Sequence, residues 1–103
     1  MEAQRSKLTE RRTEPRHSFV RPVQIYVAQN PPFSAFSKDM SKQGIGVVAD
    51  HEMAVGTMAV ISIHSTTHYP VHVNCELRWS EKFGPGWFLT RWKFISIVAT
   101  PRP

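Results

Sequence analysis

Two short stretches hold residue types that do chemistry. "RRTEPR" gathers Arg11, Arg12 and Arg16, and "KDMSKQG" sets Asp39, Ser41 and Gly44 in a D-x-S-x-x-G spacing. Arginine keeps its charge and presents a planar fork of donors. It grips phosphate or the O6/N7 edge of guanine through two hydrogen bonds, and its plane stacks on a base. A carboxylate such as Asp39 accepts from the N1 and N2 donors of a guanine, and a hydroxyl such as Ser41 gives or accepts. Gly44 permits positive φ and the close approach of a ligand to the backbone. Each stretch also has an ordinary reading. An arginine-rich run is commonly a solvated arm, and Asp, Ser and Gly are common turn formers.

The elements that must position these groups read as short strands. From Phe19 the pattern takes period two, with Phe19, Val23, Ile25 and Val27 on one face and Gln24 and Tyr26 on the other. "QNPP" breaks that strand, "SAFSKDM" reads as a second and "GIGVVA" as a third. "TMAVISIHS" follows Gly56 as a fourth. "VHVNCELRWS" is the clearest, with Val71, Val73, Cys75, Leu77 and Trp79 expected on one face. "EKFGPG" then turns the chain into the aromatic-rich "WFLTRWKFI". Six strands at a spacing of roughly 8–12 residues point to an all-β fold, a small antiparallel barrel or sandwich. The expected organisation is an arm over residues 1–17, a barrel over 18–97 and a tail over 98–103. The arm is charge-dense, so it is expected to be flexible or loosely docked.

Composition narrows the class. A chain of 103 residues suits one domain, and a hydrophobic fraction of 41% supplies one small core. No run approaches the roughly 18 apolar residues of a membrane helix, and "MEAQRSKLTERR" lacks the apolar centre of a secretory signal. The single cysteine, Cys75, forms no internal disulfide, which suits a cytoplasmic protein. Thirteen Lys and Arg against eight acidic residues give a net charge of +5, favouring an anionic partner such as a nucleotide, a nucleic acid or a membrane surface.

Other groupings are weaker. His64, His68 and His72 fall four apart, as metal ligands on a helix would, but Pro70 and alternating flanks break any helical face, so no metal is expected. Cys75 sits on an apolar strand face as a small buried residue. No Ser–His–acid set is spaced for catalysis, and "GIG" has no βαβ unit around it.

Taken together, the two leading stretches resemble the PilZ family. Arg12-Thr13-Glu14-Pro15-Arg16 is similar to its R-x-x-x-R, and Asp39 to Gly44 to its D/N-x-S-x-x-G. "AVGTMAVISI" and "CELRWSEKFGPGWFLTRW" resemble its fourth strand and its closing hairpin, so the likeness covers about residues 11 to 95. The resemblance implies a six-stranded antiparallel β-barrel that binds cyclic di-GMP without catalysis or cofactor. The implied ligand residues are Arg12, Arg16, Asp39, Ser41 and Gly44, with Arg11 as an accessory arginine. Trp79 stands where some members bring an aromatic to a guanine, a position that equally suits a core or rim Trp. The implied partner is a protein: a flagellar motor, polysaccharide synthase, pilus machinery or regulator, contacted by a monomer or weak dimer. Large Trp87 after Gly86, and a Pro-rich end where a helix often follows, depart from the family pattern. Two other readings remain: a basic barrel stacking single-stranded nucleic acid on Trp79, Trp87 and Trp92, and the same fold as a protein–protein module without ligand.

Overall fold

The computed structural model describes residues 15–101. The alternating segments form seven strands: β1 (His17–Ser18), β2 (Pro22–Tyr26), β3 (Phe33–Met40), β4 (Gly44–Ala49), β5 (Met58–Ile63), β6 (Val71–Phe83) and β7 (Trp87–Val98). There is no helix among the described residues. Six strands run in the order β3-β2-β5-β6-β7-β4, and β4 pairs back onto β3 to close an antiparallel barrel. Closure removes the open sheet edge that a small all-β domain would otherwise expose. The two-residue β1 is extra. It pairs with the end of β3, beside β2. His17 already pairs with Met40 there, and β7 continues to Val98.

The barrel is filled from within by the inward set of each strand. Val23 and Ile25 of β2, Val47 of β4, Ile61 of β5, and Cys75 and Leu77 of β6 are all essentially without solvent contact. Burial pushes the Cys75 thiol up to about 12, against a weak lowering by a hydrogen bond from the Ile61 backbone, so it stays protonated and inert as a nucleophile. Trp92 is 2% exposed. Its indole N–H donates to Thr90 Oγ1 at 2.9 Å, and that hydroxyl donates to the Val47 carbonyl at 2.8 Å. The aromatic expected as a possible stacking platform is therefore a satisfied core residue. Trp87, by contrast, is 45% exposed, next to the Gly84–Gly86 turn.

Two β-bulges reverse the alternation at consequential points. In β3, Ala35 and Ser37 face inward, and strict alternation would bury Asp39 beside them. The register shifts between Ser37 and Asp39, so Lys38 is the extra residue and Asp39 turns to the outer face opposite Gly46. In β6 the register shifts between Leu77 and Trp79, making Arg78 the extra residue. Trp79, expected on the face of Val73, Cys75 and Leu77, is thereby moved outside, where it is 42% exposed. Simple alternation does not foresee either turnover.

The segment between β1 and β2 is fastened by a buried hydroxyl. Ser37 is 2% exposed. Its Oγ accepts from the Arg21 N–H at 2.9 Å and donates to the Phe19 carbonyl, while its backbone N–H donates to the Arg21 carbonyl at 2.9 Å. Residues 19–21 run beside β3 between the β1 and β2 pairings, and the fastening holds this irregular stretch to the strand. Replacing Ser37 with Ala leaves two backbone groups short of a partner. Urea denaturation should show a loss of about 1–2 kcal/mol with unchanged m-value, whereas Ser34→Ala at an exposed bond should stay within about 0.5 kcal/mol of the parent.

Candidate functional site

Strand register sets one row of residues across the outer face. Ser18 of β1 stands opposite Asp39 of β3, Asp39 opposite Gly46 of β4, Gly46 opposite Arg91 of β7, and Arg91 opposite Trp79 of β6. Across the middle of this row Arg91 Nη1 donates to Asp39 Oδ1 at 2.9 Å. The two charges come from strands that do not touch; β4 lies between them. They meet because Gly46 has no side chain: a Cβ there would stand 2.5 Å from Asp39 Oδ1 and 2.8 Å from Arg91 Nη1.

The pair is well covered, with side-chain exposure of 13% for Asp39 and 25% for Arg91. Burial alone would raise the Asp39 carboxyl. The hydrogen bond and charge of Arg91, reinforced by Lys38 Nζ at 3.3 Å from Oδ2, outweigh that and hold it below its ordinary value. Asp39 is thus an oriented carboxylate, with lone pairs left for a further donor.

The β3–β4 turn sits beside this pair. The Ser41 N–H donates to the Gly44 carbonyl at 2.9 Å, and Ser41 Oγ accepts from the Gln43 N–H at 3.2 Å. Gly44 is needed for close approach, but to the chain itself: a Cβ would run into the backbone carbonyl of Trp92 on β7. Its φ is not positive. The side-chain space at Gly44 is thus taken by the β7 backbone and that at buried Gly46 by the Asp39–Arg91 pair, so β3, β4 and β7 close tightly on one another here.

A cleft of about 230 Å³ opens beside Gly44. Its walls include Arg16, Asp39, Ser41 and Gly44, and also Arg78, Arg91 and Lys93. With His17 paired to Met40, Arg16 arrives at the level of Ser41. Groups 23 residues apart in sequence are therefore brought to one place. Four cations and one carboxylate suit an anionic ligand that also offers hydrogen-bond donors.

The PilZ domain family model matches residues 10–99. The chain belongs to the PilZ domain family. Among solved structures, this PilZ domain is similar to the inhibitor of motility MotI/DgrA of Bacillus subtilis, with a TM-score of 0.69 and 18% identity over 85% of this chain and 44% of that one. It thus spans less than half of that protein's chain. It is also similar to the PilZ domain of YcgR from Escherichia coli, solved with c-di-GMP, with a TM-score of 0.68 and 19% identity over 82% of this chain and 78% of that one. A comparison with curated proteins finds no match.

Of the residues singled out by sequence in this PilZ domain, Arg16, Asp39, Ser41 and Gly44 line one cleft. Trp79 lies outside the cleft lining but on the same row, opposite Arg91. Arg11 and Arg12 lie outside the described residues, as does most of the arm. Among the described residues no group of three His, Cys, Asp or Glu is placed to hold a metal; His72 Nδ1 instead bonds Ser62 Oγ at 2.6 Å. Sequence reasoning missed Arg91, Arg78 and Lys93, which need the β4–β7 register to be seen. It also left Gly46 without a role; its spacing two residues after Gly44 was the available signal.

Gly46→Ala should force Asp39 and Arg91 apart while keeping the barrel. The Asp39 carboxyl, followed by NMR titration, should then titrate higher than in the parent. The sign for stability follows from the depressed folded value. The pair's contribution is fully present above the ordinary aspartate range near ~3.9 and is lost as pH falls through the lower folded value. The variant should lose this part of its acid dependence.

Proposed function

We propose that this PilZ domain is a non-catalytic receptor for cyclic di-GMP. The observation that carries the reading is the convergence of Arg16 with Asp39, Ser41 and Gly44 on one cleft. The fold shared with a PilZ domain solved with c-di-GMP supports it. The oriented Asp39 carboxylate suits the N1 and N2 donors of a guanine, and Arg16 suits its O6/N7 edge or a phosphate. Ser41 presents its hydroxyl at the same wall. Trp79, half-exposed beside Arg91, offers a ring face to a base.

In this reading the arm ahead of β1 orders on the ligand, with Arg11 and Arg12 closing over its guanines and phosphates together with Arg16. The ordered arm and barrel face then present a new surface to a protein partner, a recognised form of switch. Titration calorimetry with cyclic di-GMP, with GTP and an oligonucleotide as controls, tests this. Saturable binding to cyclic di-GMP alone is expected. Arg16→Ala and Asp39→Ala should each weaken it by roughly 1.5–3 kcal/mol, the range for a hydrogen bond to a charged group. No saturation at high micromolar ligand would exclude the receptor, and full affinity in both variants would move the site elsewhere.

A further inference from the structure

The cleft beside Gly44 has two walls, and only the β3 wall belongs to the D-x-S-x-x-G stretch. The opposite wall is cationic. Lys93 of β7 stands directly across from Gly44, and Arg91 directly across from Gly46. Arg78, the extra residue of the β6 bulge, rises between the levels of Trp92 and Arg91. All three line the same cleft as Asp39 and Ser41.

Their charges are not equally committed. Arg91 is engaged by Asp39 at 2.9 Å. The side chains of Arg78 and Lys93 make no hydrogen bond or ion pair among the described residues, although Glu76 lies directly across from Lys93. Two uncommitted cations on one wall of a concave site raise the local potential for an anion. The bulge matters here, because without its extra residue β6 would present one side chain at this level instead of both Arg78 and Trp79.

We infer that Arg78 and Lys93 form an anion subsite on the β6–β7 wall that takes a phosphodiester of the cyclic dinucleotide, while its guanine engages Asp39 and Ser41 across the cleft. This rests on the receptor reading above and adds to it two ligand residues outside both sequence motifs. Arg91 between them is a positioning residue: its bond to Asp39 neutralises the one carboxylate that would repel the phosphodiester.

Calorimetry of the full chain with cyclic di-GMP at low salt and at 1 M salt tests the subsite. Arg78→Gln and Lys93→Gln change exposed side chains without partners, so both should unfold at the parent temperature. Each should weaken binding roughly ten-fold at low salt, as expected for loss of a charged hydrogen bond. The loss should shrink at 1 M salt, where the Debye length is about 3 Å. Arg78→Lys, which keeps the charge, should recover most of the affinity. Parent binding with both Gln variants within two-fold of it at low salt would overturn the subsite and leave the receptor standing. A parent chain that binds no cyclic di-GMP would overturn both.

Discussion

An ion pair that spans a missing side chain organises the outer face of this barrel. Asp39 and Arg91 belong to β3 and β7, two strands separated by β4, and they bond at 2.9 Å only because residue 46 is glycine. The consequence is mutual. The pair ties two distant strands across their common neighbour, and β4 in turn must stay bare beneath it. Exposed ion pairs contribute little, but this one is largely covered and shaped by a close-fitting floor. Its importance lies less in stability than in orientation, since it sets where a carboxylate points within a cleft rich in cations.

The bulges are what bring the right side chains to that face. A β-strand gives its two faces alternate residues, so a core-facing parity cannot also serve the surface. Lys38 and Arg78 each insert one residue and exchange the parity downstream. Before the bulge, β3 contributes Ser37 to the interior, where it fastens residues 19–21; after it, β3 contributes Asp39 to the exterior. β6 likewise contributes Leu77 inward and Trp79 outward. One strand thus serves the core with one half and the cleft with the other. Bulges beside functional sites follow this logic generally.

How much of this was legible in the sequence depends on the range of the interaction. The strands were, because "VQIY" and "VHVNCEL" carry period two in consecutive residues and "GIGVVA" matches β4 end to end. The gathering of Arg16 with Asp39, Ser41 and Gly44 was legible only through the resemblance of the two motifs to those of the PilZ family. Arg91 was hidden, since its link to Asp39 is 52 residues long and depends on β4–β7 pairing. Trp79 was misplaced for a related reason: "CELRWS" alternates without a flaw, and nothing local marks Arg78 as an inserted residue. Trp92 shows the same limit from the other side. The nucleic-acid reading needs its ring at the surface as a stacking platform, yet Thr90 supplies the hydrogen bond that lets the indole be buried.

For the proposed ligand, the arrangement also resolves an electrostatic conflict. A carboxylate suited to the donor edge of guanine opposes the phosphates that accompany it, and a wall of arginine and lysine suited to phosphate opposes nothing but itself. Pairing Asp39 with Arg91 removes one charge of each sign from that conflict while leaving lone pairs on the carboxylate for hydrogen bonding. The remaining cations can then act on the anionic part of a ligand without the carboxylate in opposition. A neutral amide at position 39 would avoid the repulsion too, but its oxygen would accept more weakly from both Arg91 and a ligand donor. Glycine at 46 is therefore as much an electrostatic element as a steric one, because the compensation exists only while the two charges can touch.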